Sequence, residues 1–549
     1  MSVRAKILFA VAYTLHVVWI FVLASVPPVS RDALTHHLAV PKLWLARGGI
    51  HELPEIPFSY YPQLLDVLYM LPLALGHDIA AKYLHFAFAL LTALIIYLFV
   101  RRRTGNWWGA LAGLMFLTLP AIVKLSVTVY VDLGLIFFSC AALFSTALWL
   151  EDTSKFKWLL IAGISSGLAL STKYNALVPF FVMSLLLPFF FLQSREHKNK
   201  EQIRTVRYGV IFVTLSLLVF SPWLARNFSL TGNPLYPLAQ GVFETRVPQS
   251  SDSLDLASNA PSSKVKPLGP LLVRKLVYEE SLPYTLMIPV RIFYEGEDDD
   301  PKYFDGRLNL LLLLLPLSLL LMGRNERGRF PEIRLFAVYS VLVFLVVFLI
   351  KDMRIRWIAP IIAPLVVLAA YALFLACEKL HDRMASRTVA HGFVGLMLVA
   401  YFVPNLLYTH DLHKKIDPLP FISGEISRDD YIQRHRPEYA AIQAANSLVP
   451  AGSRVLGLYL GSRRYYFSVD TTLSNRMFEN LATNAHTADE IANGLSVRGF
   501  TYLVIRTDFF NRWLAESDMN TQARVQAFAG RNLQEVVNEE GYGLYKIIN

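Results

Sequence analysis

Several stretches of this sequence are apolar for almost the length of a bilayer crossing: Ile7 to Ser25, Tyr83 to Val100, Leu177 to Leu192, Leu308 to Met322 and Leu335 to Ile350. A helical span needs about 20 such residues. In lipid every backbone N–H and C=O must find its partner within the segment or its neighbours, so such runs fold as helices. With 54% of residues hydrophobic and 17% charged, against roughly 45–50% and 25% in soluble domains, the chain has more apolar surface than a water-soluble core absorbs. It reads as a polytopic α-helical membrane protein.

The net charge of +10 does not point to nucleic acid, because the basic residues flank the apolar runs rather than forming one face or an arginine-rich tail. They describe topology instead. By the positive-inside rule, Arg101-Arg102-Arg103, Arg195 to Arg207, Arg324 to Arg329 and Lys379 to Arg387 are cytoplasmic connections. About eleven spans follow, centred near residues 16, 91, 115, 140, 165, 184, 215, 315, 342, 365 and 399. The N-terminus is then cytoplasmic and the C-terminus outside, in a multi-pass protein of the cell inner membrane. Arg4 and Lys6 before an apolar stretch ending in Ala24-Ser25 have a signal-peptide outline. The stretch is long for that role and many spans follow, so it reads as the first span. The two cysteines, Cys140 and Cys377, lie in or beside apolar stretches and define no disulfide framework.

Outside the spans, Val26 to about Ile79 mixes short apolar pieces with Pro27, Pro28, Pro41, Pro54, Pro57 and Pro62, the pattern of interfacial helices. Asn227 to Arg307 contains the Ser-rich stretch Gln249 to Lys266, expected to be a mobile loop. The chain divides into a transmembrane domain, 1–408, and a small soluble periplasmic α/β domain, 409–549. In the latter, helices over Glu438 to Leu448 and Asp489 to Leu495 alternate with strands over Arg454 to Leu460, Thr501 to Ile505 and Tyr542 to Ile547.

Ionisable residues collect at outer span ends. Asp32 follows the first span, with His36 and His37 beyond it, Lys124 follows the third, and Asp132 opens the fourth. Lys173 lies between the fifth and sixth, Arg226 after the seventh, and Arg354 and Arg356 before the tenth. Intramembrane or span-end charges are functional candidates. Carboxylates and cations on one face suit displacement at an anomeric carbon carrying a lipid phosphate. A carboxylate takes the acceptor's proton, while Arg and Lys hold the phosphate oxygens. That scheme demands no nucleotide, cofactor or metal, and the chain has no P-loop, dinucleotide fingerprint or HExxH motif. His36, His37, His51, Glu52, Glu55 and Asp66 leave room for a divalent metal, without the spacing of a zinc motif. Asp32, after Ser30, also suits a simple helix cap.

In order along the chain, the acid in the first outer loop, Tyr130-Val131-Asp132-Leu133, Gly167-Leu168-Ala169-Leu170-Ser171-Thr172-Lys173-Tyr174, Arg226-Asn227 leading to Thr231-Gly232-Asn233-Pro234-Leu235-Tyr236-Pro237, and Arg354-Ile355-Arg356-Trp357 resemble bacterial GT-C glycosyltransferases. The protein mannosyltransferase and lipid A aminoarabinose transferase group is nearest in style. The resemblance covers roughly residues 1 to 408. It implies inverting transfer of a sugar from a polyprenyl-phosphate donor to a glycan, lipid or protein acceptor at the periplasmic face. Asp32 is then the general base and Asp132 the second acid, with Lys173, Arg226 and Arg354 or Arg356 as donor-phosphate contacts. Asp32 lacks the adjacent second acid of the protein mannosyltransferases, which weighs against a protein acceptor. Two other functions compete. A transporter or flippase of a lipid-linked sugar would show paired repeats and midplane polar groups, and a polysaccharide polymerase or ligase would rest on one large basic outer loop.

Overall fold

The computed structural model describes residues 3–193, 199–243, 269–323, 328–384 and 387–548. Most of Arg195 to Arg207, read as an inner connection, is described as helix. Its first residues, the Gln249 to Lys266 loop and parts of the Arg324 to Arg329 and Lys379 to Arg387 connections lie outside the described residues.

The first helix, α1 (Val3–Ala24), is followed by the short helices α2 (Ala39–Ala46) and α3 (Leu64–Ala74). Next come α4 (Asp78–Thr104), α5 (Asn106–Thr118), α6 (Pro120–Ser126), α7 (Asp132–Glu151), α8 (Lys157–Thr172), α9 (Leu177–Gln193) and α10 (Asn199–Thr231). After a segment of short helices come α11 (Leu311–Ser318), α12 (Glu332–Ile350), α13 (Ile362–Met384) and α14 (Arg387–Ile416). All eleven expected span centres fall in helices, yet among the described residues only eight helices are long and apolar enough to cross a membrane. They are α1, α4, α7, α9, α10, α12, α13 and α14, and a ninth arises if α5 and α6, bent by 68°, count as one broken span. At 16 and 8 residues, α8 and α11 are shorter than the 18 residues counted as a full crossing.

Burial orders these helices. The spans containing α13 and α7 are the most enclosed, 78% and 72% buried over their apolar windows, whereas those of α1 and α10 are 22% buried and turn Leu8, Leu15, Val206 and Leu218 outward as a lipid-facing surface. Small residues set the closest approach. A Cβ on Gly167 of α8 would come within 2.5 Å of the Ser216 carbonyl on α10. One turn earlier, the Gly163 carbonyl accepts the Ser216 hydroxyl at 3.1 Å.

The two ends of the bundle differ. At one, Arg102 and Arg103 of α4 bind Glu151 at the end of α7, Arg103 also reaches Glu332 at the start of α12, and Arg329 pairs with Glu378. The expected inner connections thus meet on one face. Asp132 begins α7 at the other end, 20 residues and about 30 Å away.

On that second side, α2, α3, the wide turn Ala33–His37 and the tight 3-10 turn Pro57–Tyr60 form the expected non-spanning helices of the first outer loop. Leu68 and Leu71 of α3 and Leu75 just after it stay exposed, as interfacial helices require. α14 continues past 408 to Ile416. Beyond it, α15 (Tyr439–Leu448), β1 (Arg454–Leu458), β2 (Asp470–Leu473), α16 (Asn475–Asn484), α17 (Ala488–Val497), β3 (Phe500–Arg506), α18 (Thr507–Glu516), α19 (Met519–Asn532), β4 (Leu533–Glu539) and β5 (Tyr542–Ile547) build a small sheet domain. Strand order is β2-β1-β3-β5-β4, with β1 parallel to β2 and β3 and β5 antiparallel to β3 and β4. Alternation along the central strands splits the core. Leu456 and Leu503 pack with Ile491, Leu495 and Phe528 on one face, while Val455 and Val504 pack with Ala441 and Ile442 on the other.

Candidate active site

Four of the six candidates from sequence form one continuous chain of ion pairs. Arg356 sits in a single 3-10 turn, Ile355–Trp357, just before α13. One of its Nη atoms binds Asp32 Oδ2 at 2.8 Å and the other Asp132 Oδ2 at 3.0 Å. Lys173, in the turn after α8, binds the second Asp132 oxygen at 2.9 Å. The guanidinium also lies over the Tyr130 ring, 4.3 Å from its centroid, which holds the planar fork in place while leaving its edge to the carboxylates.

The two acids differ in surroundings. The Asp132 side chain is fully enclosed, whereas that of Asp32 is 30% exposed. Asp132 lies in the first turn of α7, where the helix dipole favours a negative charge, and His85 Nε2 accepts the next amide, Leu133 N–H, at 3.1 Å. Burial alone would raise the Asp32 carboxyl, but the Arg356 guanidinium, then His36 and His37, hold it well below the usual carboxylate range. Asp32 is therefore an anion aimed at solvent from beside a cation, and Asp132 an enclosed anion between two cations.

The backbone around Asp32 is unusual. Ala33–His37 forms one turn of π-helix, closed by Leu38 N–H to Ala33 O at 2.9 Å, a wide turn that recurs at functional sites. It puts His36 and His37 side by side, ring centroids 4.0 Å apart. His36 stacks on Phe58 at 4.4 Å, and His37 Nδ1 lies 2.8 Å from Asp66 Oδ1. Burial drives this last pair toward neutral forms, the imidazole down to about 3 and the carboxyl up to about 8. Among the described residues no group of three or more His, Cys, Asp or Glu side chains is arranged to hold a metal ion.

The other two candidates stand apart from this chain of pairs. Arg354, on the far side of the 3-10 turn, faces Asp305 Oδ2 at 3.8 Å, so of the two arginines that sequence could not separate, Arg356 reaches the acids. Arg226 donates to the Ser59 carbonyl at 3.1 Å, and one of its guanidinium nitrogens is buried with no partner among the described residues. Its neighbour Asn227 binds the Tyr60 and Tyr236 carbonyls at 2.7 and 3.2 Å, so the Arg226-Asn227 motif ties the end of α10 to the first outer loop. Lys124 meets Asp298, Asp299 and Asp305 at 3.3–3.5 Å. Sequence reasoning named Tyr130 only within a motif and His37 and Asp66 only as part of a metal set, and gave neither the ring beneath Arg356 nor the His37–Asp66 pair. Their signal was present only as an aromatic two residues before Asp132 and an acid within a short apolar helix.

Comparison with known proteins follows this geometry. The family model described as dolichyl-phosphate-mannose-protein mannosyltransferase matches residues 69–225, which include Asp132 and Lys173. No curated protein matches in sequence. The fold is similar to ArnT from Cupriavidus metallidurans, solved bound to undecaprenyl phosphate, with 13% identity, coverage of 99% of this chain and 98% of that one, and a TM-score of 0.57. It is also similar to the apo oligosaccharyltransferase of Archaeoglobus fulgidus, with 12% identity, coverage of 94% and 71%, and a TM-score of 0.53. A further similarity is to the same organism's AglB, solved with an inhibitory peptide and a dolichol-phosphate, with 13% identity, coverage of 100% and 75%, and a TM-score of 0.50. The chain thus shares the fold of these membrane proteins over nearly its whole length, and the mannosyltransferase family model matches its central spans.

Proposed function

We propose that the chain transfers a sugar from a polyprenyl-phosphate donor to a hydroxyl at the outer, periplasmic mouth of the bundle, with inversion and with Asp32 as general base. The observation that carries this reading is the run Asp32–Arg356–Asp132–Lys173, two carboxylates and two cations in direct contact at the face opposite the basic inner connections. The Asp32 carboxylate takes the acceptor's hydroxyl proton as the new bond forms at the anomeric carbon. The bond from that carbon to the phosphate oxygen breaks on the opposite face, and polyprenyl phosphate leaves with the electron pair. Arg356 and Lys173 neutralise the charge that grows on the phosphate, and Asp132 holds both cations in position. A donor phosphate that draws the Arg356 guanidinium toward itself frees Asp32 for its proton, so donor binding and base activation are one event.

Arg226, with a buried nitrogen that has no partner among the described residues, and Arg354 are assigned as flanking donor contacts. ArnT with undecaprenyl phosphate and AglB with dolichol-phosphate are both similar in fold, which supports a polyprenyl-phosphate donor here. The acceptor is a glycan, a lipid or a protein. We place the N-terminus in the cytoplasm and the chain in the inner membrane, with residues 1–408 as the transmembrane unit and 409–549 as a periplasmic one.

The test starts from a deletion strain, whose surface glycans and lipid A identify the missing sugar and its acceptor. In membranes supplied with that donor and acceptor, Asp32→Asn, present at the wild-type level, loses transfer. Full transfer by this variant removes Asp32 from the base role.

A further inference from the structure

The loop that carries Asp32 is held from above by the C-terminal sheet domain. Beyond β1 the chain turns through left-handed residues, Tyr459, Gly461 and Ser462, which send the segment Arg463 to Phe467 down onto the first outer loop. The amides of Arg464 and Tyr465 both donate to one acceptor, the Leu34 carbonyl, at 3.1 Å each. Leu34 lies two residues after Asp32, inside the π-turn, and is buried. Lys42 of α2 closes the arrangement from below, its ammonium donating to the carbonyls of Tyr465 at 2.7 Å and Phe467 at 2.9 Å. On the other flank of Asp32, the Tyr466 hydroxyl donates to Pro28 O at 2.7 Å and Arg436 Nε to Val29 O at 2.5 Å. Arg464 also reaches Glu55 O at 3.1 Å.

None of these contacts touches the ion pairs themselves. They fix the backbone on both sides of Asp32, from Pro28 to Leu34, by bonds that originate more than 400 residues later in the chain. A single amide donor on Leu34 would be an ordinary domain contact. Two amides on one carbonyl, with Lys42 holding the carbonyls of the peptide units that follow them, specify the height and rotation of the π-turn.

We infer that the segment Arg463 to Phe467 is a latch that positions Asp32, so that the C-terminal domain is a working part of the transfer site, with Lys42 as its key positioning residue. This inference rests on Asp32 being the general base. A base displaced by 1 Å loses about a hundredfold in rate, and because the donor-phosphate cations lie on other elements, the loss falls on turnover rather than on donor affinity.

The test compares full-length wild type, Lys42→Met and Lys42→Arg in nanodiscs. Hydrogen exchange read by mass spectrometry rises about tenfold in Lys42→Met for the peptides covering Pro28 to Leu38 and Arg463 to Phe467, and returns toward wild type in Lys42→Arg. In the membrane transfer assay Lys42→Met lowers kcat about ten- to hundredfold with donor KM unchanged, and adds nothing in an Asp32→Asn background. Unchanged exchange in both peptides overturns the latch and leaves the role of Asp32 intact. An equal further loss in the Asp32→Asn background overturns it too, because Lys42 would then act elsewhere. Full activity of Asp32→Asn alone refutes the base reading, and the exchange result still decides whether the contact holds the loop.

Discussion

Replacing Arg356 with methionine keeps the bulk over Tyr130 and removes the charge between the two acids. Asp32, 30% exposed, rehydrates once released and adds little to the loss. Asp132 cannot, because its side chain is fully enclosed and Lys173 at 2.9 Å becomes its one remaining cation in the chain of pairs. Breaking a buried pair costs about 3–5 kcal/mol, and with Lys173 still in place the lower end, about 3 kcal/mol, applies. The four groups sum to zero charge with Arg356 and to one negative charge without it. Adding Asp132→Asn restores the balance, so the double variant regains about 1.5–3 kcal/mol relative to the sum of the single losses. Tryptophan fluorescence during heating in detergent, at one fixed scan rate because unfolding of such a protein is irreversible, reads the order. Arg356→Met melts several degrees below wild type, and Arg356→Met with Asp132→Asn melts above the temperature expected from the sum of the two single losses. If the double variant instead falls by the sum of the two singles, the buried ion-pair reasoning is wrong.

Three further outcomes follow from the same structure. The Asp32 carboxyl lies below its usual range mainly through Arg356, so its stabilisation is present above the unfolded value of about 3.9 and disappears as pH falls through the folded value. The melting difference between wild type and Asp32→Asn is then constant from about pH 5 to 8 and shrinks below about pH 4, and a difference that grows on acidification contradicts this. Gly167→Leu drives its side chain into the Ser216 carbonyl of α10 and lowers stability by about 1–3 kcal/mol or more, seen as reduced monodisperse yield in size-exclusion chromatography, whereas a normal yield means α8 and α10 are not in close contact. Undecaprenyl phosphate binds Arg356→Ala at least tenfold more weakly than wild type and Arg226→Ala less severely so, by microscale thermophoresis, and the reverse ranking would move the phosphate site toward Arg226.

How much of this was readable in sequence depends on the range of the signal. Spans are local and came through: α1, α4, α7 and α12 stand out because each concentrates enough apolar residues within one segment. The central strands β1, β3 and β5 were legible for a similar reason, since strands buried on both faces are dense in Val, Ile, Leu and Tyr. The two unrecognised strands are the edges of the sheet. β2, Asp-Thr-Thr-Leu, and β4, Leu-Gln-Glu-Val-Val-Asn-Glu, carry the polar residues that edge strands use to discourage further pairing, and so look like loops. The count of eleven includes α8 and α11, which fall below the length of a full span among the described residues, although α8 runs from the Glu151 end to Lys173 beside Asp132. At the site, residue types and their common face were readable, while partners were not. Arg356 is 324 residues from Asp32 and 224 from Asp132, and nothing local distinguishes it from Arg354 until the 3-10 turn rotates one toward the acids and the other toward Asp305. The latch over Leu34 is built from backbone groups, which leave no trace in residue identity.

The central claim is that Asp32 removes the acceptor's proton at a site where Arg356 and Lys173 hold the lipid phosphate. The most direct test measures, on the same purified protein, single-turnover transfer from the polyprenyl-phosphate sugar and binding of undecaprenyl phosphate for wild type and Asp32→Asn. The account predicts loss of transfer by at least a hundredfold with undecaprenyl phosphate bound as tightly as by wild type or tighter, because Arg356 is then free of its carboxylate. Transfer at the wild-type rate by Asp32→Asn, with binding intact, would contradict it.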